Sequence, residues 1–212
     1  MQIEKIIEPY IHFDVKDFFS SEHFDIIKSY MNELKSPDVK FTNNIRTISS
    51  IDEDSKEFIC TDIVKRAGAK IGLKETKNSA VQIKTGAEEE KIYKILKKYY
   101  AEFLDKIGIK HKHIYNFEFA RQSKWYSFPI HEDTKHKIFS LIVYISETGE
   151  GTIMYNPDKT FNKEAVWRMN GACGFEPFDK SWHSYECRNE TNREVIVMTT
   201  WSTPNQRRFL NK

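Results

Sequence analysis

The sequence predicts an α+β chain: helices first, then a β-sandwich or jelly roll, with the helices laid over one outer face of the strands. Three observations carry this reading. Apolar residues recur at the three-and-four spacing of helices up to about residue 108. From His111 onward, alternating and β-branched runs take over. All four tryptophans, Trp125, Trp167, Trp182 and Trp201, fall in that second part, which concentrates the large aromatic anchors among the strands.

Ser20-Ser21-Glu22 supplies an N-cap, and Phe24, Ile27, Tyr30, Met31 and Leu34 then share one face, so a helix is expected over 21–35. Val39 to Ile51 is polar and β-branched and reads as strand or loop. A second helix is expected over 54–70, from Ile59, Ile63, Val64 and Ala67, stopping near Gly68 and Gly72. The strongest helix is 88–107, where Ile92, Ile95, Leu96, Tyr99, Phe103 and Leu104 form a stripe beneath Glu and Lys. Its Lys94, Lys97 and Lys98 read as a solvated face rather than a phosphate site.

Strands are expected over 114–121, 139–145, 151–155, 172–175, 181–187 and 194–201, with turns at Thr148-Gly149-Glu150-Gly151 and Arg188-Asn189-Glu190-Thr191-Asn192. No Pro- or Ser-rich linker marks a boundary near 108, and no repeat is evident. One domain of 1–212 is therefore expected, with a mainly helical part over 1–110, a strand core over 111–202 and a tail over 203–212.

Composition narrows the function. The 212 residues are 39% hydrophobic and 30% charged, enough to build a packed core. The net charge of +2 comes from 33 basic and 31 acidic side chains with the signs interspersed, so a dedicated nucleic-acid surface is not expected. The longest nearly apolar run, Ile138 to Ile145, is interrupted by Ser140 and is too short to span a membrane. The first residues lack the apolar run of a secretory signal, and a cytoplasmic location is expected. Cys60, Cys173 and Cys187 are odd in number and lack CxxC spacing, which argues against a disulfide framework or a thiolate zinc site.

The chemistry concentrates at Pro129-Ile130-His131-Glu132-Asp133. On an extended chain, positions two apart share a face, so His131 and Asp133 can meet one metal ion. His183, fifty residues after Asp133 on another alternating stretch, is the candidate third ligand. Two His and one carboxylate suit non-haem Fe(II) with open positions, and the same ligand types also suit catalytic zinc. Arg193 lies ten residues after His183 across a turn. If 182–187 and 193–201 pair as a hairpin, Arg193 stands on the order of 10 Å from the point opposite His183. A five-carbon dicarboxylate would bridge that gap, one end on the metal and the other on the guanidinium fork.

His131-Glu132-Asp133, His183 and Arg193, in that order and spacing, resemble the motif of the 2-oxoglutarate and Fe(II)-dependent dioxygenases. The likeness covers about residues 112–202, and the text from His136 to Thr152 also resembles small prolyl-hydroxylase-like and phage-type members. It implies a double-stranded β-helix (jelly roll) with supporting N-terminal helices, and an enzyme that uses Fe(II), 2-oxoglutarate and O2 to hydroxylate a substrate with release of succinate and CO2. His131, Asp133 and His183 would be the metal ligands and Arg193 the co-substrate anchor.

Many relatives carry a Ser two residues after the basic residue, where this chain has Val195, so Tyr144 is the candidate hydroxyl beside Arg193. Nucleic-acid demethylases of the superfamily carry a second Arg where this chain has Thr199, which disfavours that branch. Trp125, Tyr126 and Trp201 are candidates to line the substrate site, and His136 is expected to play a supporting part. A small molecule or a peptide side chain is the expected substrate. Two alternatives stand beside this reading: a cupin-like metalloenzyme that does not use 2-oxoglutarate, and a non-catalytic β-sandwich binding module.

Overall fold

A computed structural model describes residues 1–34, 42–50, 58–66, 77–83, 86–109, 114–188 and 192–201. In chain order, the elements are β1 (Gln2–Ile6), β2 (His12–Lys16), α1 (Ser21–Glu33), β3 (Thr42–Ser50), β4 (Phe58–Arg66), β5 (Lys77–Ile83), α2 (Ala87–Lys106), β6 (Ile114–Gln122), β7 (Ser127–His131), β8 (Lys137–Tyr144), β9 (Ile153–Tyr155), β10 (Phe161–Glu164), β11 (Ala172–Phe175), β12 (His183–Glu186) and β13 (Arg193–Trp201).

The strands form two antiparallel sheets. The larger has nine strands in the order β1-β2-β11-β8-β13-β6-β3-β4-β5, and the smaller has four in the order β10-β9-β12-β7. Alternation assigns each face of the larger sheet. On β6, Phe117 and Phe119 are buried in one cluster, while Ala120, between them and the strand end, belongs to another. The first cluster joins Phe117, Phe119, Phe139, Leu141, Val143, Ile196 and Met198 to the apolar faces of α1 and α2, so both helices cover that face. The second cluster, with Ile45, Ala120, Ile142, Tyr144, Val195 and Phe175, belongs to the opposite face, which looks towards the smaller sheet.

Local chemistry sets the helix ends. Ser20 Oγ accepts from the His23 amide at 3.4 Å and begins α1. At its far end, the Leu34 amide donates to the Met31 carbonyl at 3.1 Å, and the buried Arg121 adds a bond from Nη2 to that same carbonyl at 3.1 Å and one from Nη1 to the Leu34 carbonyl at 2.6 Å. In α2, Glu89 Oε2 accepts from the Gly86 amide at 2.8 Å, and Glu88, Glu89 and Glu90 complement the positive end of the helix dipole.

Two expectations need correction. Phe58 to Arg66 is a strand, paired with β3 on one side and β5 on the other, where the sequence spacing predicts part of a helix over 54–70. The spacing of Ile59, Ile63 and Val64 fits a helix, but Phe58-Ile59-Cys60-Thr61 and Ile63-Val64 are also β-formers, and ladder partners on both sides decide between the two. The outer ends of that expected helix lie outside the described residues. Among the described residues, the first 110 contribute five strands alongside two helices, where a mainly helical part is expected. The expected tail over 203–212 also lies outside the described residues. The three cysteines are free and buried, and among the described residues no helix is long and apolar enough to cross a membrane.

Phe103 of α2 is fully buried, with its ring centroid 5.5 Å from that of Phe139 on β8. Phe103→Ala is expected to cost about 3–5 kcal/mol of stability, measured as a lower urea midpoint with an unchanged slope. A loss under 1 kcal/mol would show that the helix is not packed on the sheet as described.

Candidate metal centre and its cavity

β7 and β12 run antiparallel in the smaller sheet, and their register sets His183 directly opposite His131. The imidazole centroids are 4.1 Å apart. Each ring is held by a carbonyl two residues upstream: His131 Nδ1 lies 2.9 Å from the Pro129 oxygen, and His183 Nδ1 lies 3.0 Å from the Ser181 oxygen. A carbonyl can only accept, so Nδ1 carries the proton in both rings and each Nε2 keeps its lone pair.

Asp133 does not share a strand with His131 as the sequence spacing suggests. β7 ends at His131, and Asp133 lies in the connection to β8. It is carried inward by two donors from β8: Ser140 Oγ at 2.6 Å to Oδ2 and Lys137 Nζ at 2.5 Å to Oδ1. The Lys137 ammonium also stands 5.4 Å over the Trp201 ring. The result still brings His131, Asp133 and His183 together, with one ligand atom from each lying within 4.8 Å of the others.

The protonation states suit a cation. Burial, reinforced by the neighbouring His131, pushes the His183 imidazole down to about 4. Burial likewise lowers His131, against the opposing pull of its carbonyl partner and Asp133. For Asp133, burial works in the other direction but is outweighed by Lys137, His183 and the bonds from Lys137 and Ser140, which hold the carboxyl below its ordinary value. Two neutral imidazoles and one carboxylate at neutral pH are the forms that bind a divalent metal.

These residues open onto a cavity of about 240 Å³ between the two sheets, and Arg193 lines it too. Arg193 does not reach this place through a hairpin. β12 pairs with β7 and β9 in the smaller sheet, whereas β13 pairs with β6 and β8 in the larger, so the guanidinium faces the histidines from the opposite wall. It is almost fully buried. Its Nε donates to the Glu150 carbonyl at 2.9 Å and its Nη1 to Gln122 Oε1 at 2.6 Å, while the group lies 4.7 Å from the Tyr185 ring centroid. Nη2 has no acceptor among the described residues.

Tyr144 is fully buried and stacked on Trp167, with centroids 4.3 Å apart. Its hydroxyl feels the charge of Arg193 and lies by Thr152, yet forms no hydrogen bond of acceptable geometry. Tyr126 is buried and lines the cavity, stacked with Tyr185. Trp125 is 45% exposed, beneath the Lys124 ammonium and outside the cavity lining. Trp201 also lies outside the lining and reaches the centre only through Lys137, its indole donating to Thr199 Oγ1 at 2.9 Å. His136 is exposed.

The sequence reading does not single out Lys137, Ser140, Gln122, Phe128 or Tyr185, all of which line the cavity. Ser140 alone leaves a signal, as the hydroxyl inside an otherwise apolar strand. The others are ordinary polar or aromatic residues whose neighbours are set by the sheet register.

The sequence matches no protein-family model and no curated protein. The fold, however, is similar to solved structures. An oxidoreductase of the 2OG-Fe(II) oxygenase family from Burkholderia pseudomallei matches with a TM-score of 0.58 at 14% identity, over 90% of this chain and 84% of that one. A Pseudomonas putida prolyl-4-hydroxylase matches at 0.54 and 9% identity, over 93% and 95%. A Trichoplax adhaerens prolyl hydroxylase, solved in complex with a hypoxia inducible factor peptide fragment, matches at 0.52 and 11%, over 95% and 87%. At these identities the likeness establishes the fold, which this chain shares with those oxygenases.

His183 is neutral in the folded metal-free chain down to about pH 4, while in the unfolded chain it takes a proton near 6.5. The unfolded state therefore binds more protons between these values, and stability falls as pH drops through that window and is unaffected above it. Urea unfolding of metal-free protein is expected to show a loss on the order of 2 kcal/mol between pH 7 and 4.5 that His183→Asn removes. The same slope in the variant would show that His183 is not held neutral.

Proposed function

We propose that this chain is a non-haem Fe(II) dioxygenase dependent on 2-oxoglutarate, built on a double-stranded β-helix, that hydroxylates a small molecule or a peptide side chain. The observation that carries the reading is the pairing of two features across one cavity. The His-Asp-His triad and the buried Arg193 both line it, and the unpartnered Tyr144 hydroxyl, outside the lining itself, feels the charge of that arginine. The fold shared with 2-oxoglutarate oxygenases supports it, and one of those proteins is a prolyl hydroxylase solved with a peptide. A cupin-like enzyme without 2-oxoglutarate would leave Arg193 and Tyr144 without a task.

The donor set fits iron. His131 and His183 would bind it through Nε2 and Asp133 through one oxygen, with Ser140 or Lys137 still bonded to the other. When bound, iron with its co-substrate supplies the oxidation of a C–H bond, O2 and 2-oxoglutarate being consumed as succinate and CO2 form. The chain's own residues bind and orient. Arg193 takes the distal carboxylate of 2-oxoglutarate through Nη2, held rigid by Gln122 and the Glu150 carbonyl. The Tyr144 hydroxyl, which burial keeps protonated, would donate a hydrogen bond to the same carboxylate. Burial of Arg193 and Tyr144 excludes water from that end and strengthens both bonds. Tyr126, Phe128 and Tyr185 supply an aromatic wall near His131, with the Phe128 ring 4.5 Å from the imidazole.

Anaerobic titration of the Fe(II)-loaded protein with 2-oxoglutarate tests this. A visible charge-transfer band is expected, lost in His183→Ala. Asp133→Ala is expected to abolish iron binding at micromolar metal together with all 2-oxoglutarate turnover, and unchanged turnover in that variant would overturn the assignment. Arg193→Ala is expected to keep iron and weaken 2-oxoglutarate by about 2–3 kcal/mol, roughly 30- to 150-fold in Kd. An unchanged Kd would exclude Arg193 as the anchor.

A further inference from the structure

We infer that Glu118 is a specificity-determining residue of this cavity and that the substrate carries a protonated amine or guanidinium group, an inference that rests on the oxygenase reading above. Four ionic side chains line the cavity: Asp133, Lys137, Arg193 and Glu118. Lys137 neutralises Asp133, and Arg193 is the anchor assigned to the distal carboxylate of 2-oxoglutarate. Glu118 is the charge left over. Among the described residues, its carboxylate has one hydrogen bond, to a neutral group, from Asn116 Nδ2 at 2.9 Å to Oε1, and no ion pair.

The location is an expensive one for an idle carboxylate. β6 lies inside the nine-stranded sheet between β13 and β3, and Glu118 is half-buried on its cavity face, in line with Ala120 and Gln122. A half-buried carboxylate at such a position costs stability unless a partner compensates it. It is also oriented. Ser49 Oγ donates to Asn116 Oδ1 at 2.5 Å, which fixes the amide so that its NH2 side points to Glu118. This relay holds one carboxylate oxygen and leaves the other for a donor in the cavity.

The register gives the reach. Ser140, which holds Asp133, pairs with Thr199, and Thr199 pairs with Asn116; in the next row, Ile142, Val197 and Glu118 are aligned in the same way. Glu118 thus stands two strands across from β8, about 10 Å, and one row along from Ser140, about 7 Å. A compact substrate can place an ammonium on Glu118 and still present a carbon a few bonds away to the metal centre. Ile142 and Val197 between the two positions suit the alkyl stem of a basic amino acid side chain.

The test is calorimetric, with Mn(II) and 2-oxoglutarate bound to the full chain. Lysine and arginine are compared with norleucine and citrulline, whose side chains are neutral, each as its Nα-acetyl amide and within capped tripeptides, so that no α-ammonium is present. The cationic member of each pair is expected to bind at least about tenfold more tightly, and Glu118→Gln to bring the pair within about threefold. Glu118→Lys is expected to reverse the preference towards glutamate over glutamine. Retention of 2-oxoglutarate binding in each variant establishes that the cavity is intact. Equal binding of cationic and neutral compounds by the unaltered protein, no binding of either, or discrimination that survives Glu118→Gln would overturn the inference. Failure of Mn(II) and 2-oxoglutarate to bind the unaltered protein would instead overturn the oxygenase reading, and is scored separately.

Discussion

A carboxylate buried against two neutral imidazoles has to be neutralised, and the arrangement around Asp133 follows from that requirement. Desolvation alone would push its proton affinity up; Lys137 and Ser140 reverse the direction. Both donors belong to β8, so the site depends on where β8 sits. That strand is pinned from its other face by Phe139, Leu141 and Val143, which pack against the helices. The apolar stripe of α2 therefore acts on the chemistry at one remove, because displacing β8 would displace the groups that hold Asp133. A divalent cation would meet the same carboxylate that Lys137 now holds, so the ammonium both preforms the ligand and competes for it.

The second constraint lies at the other end of the cavity. Burying a guanidinium costs stability unless its donors are satisfied, and Arg193 satisfies two of them with Gln122 and the Glu150 carbonyl while lying over Tyr185. The orphaned Tyr144 hydroxyl beside it is a further unmet cost. Native chains retain such costs where a ligand removes them, and an anion placed there would satisfy both groups. The two walls then divide the labour: the smaller sheet presents the histidines, and the larger presents Arg193, Gln122 and Glu118.

Much of the fold was legible as local pattern. The helix over 88–107 and the strands at 114–121, 139–145 and 172–175 stand within a residue or two of α2, β6, β8 and β11, because capping residues and strong periodicity act over short distances. β7 was legible only in part: the spacing of His131 and Asp133 predicts an extended chain there, but the strand is short, carries Pro129, ends at His131 and lies at the edge of the smaller sheet, paired with β12. Phe58 to Arg66 misled for the reason given by its composition, an apolar spacing that serves either period until neighbouring strands select one.

By itself the sequence determined which residues could carry the chemistry. Two histidines, one aspartate and a late arginine are chemically distinctive, and their types and order survive any arrangement of the chain. Only the tertiary structure decided how they meet. His183 faces His131 through cross-strand register, Asp133 is turned inward from a loop by two side chains of β8, and Arg193 arrives from the other sheet instead of along a hairpin. Glu118 and its relay through Asn116 to Ser49 were equally out of reach. The physical reason is that ligand type is a property of one residue, whereas orientation and burial are properties of pairings between strands far apart in sequence, which no local pattern encodes.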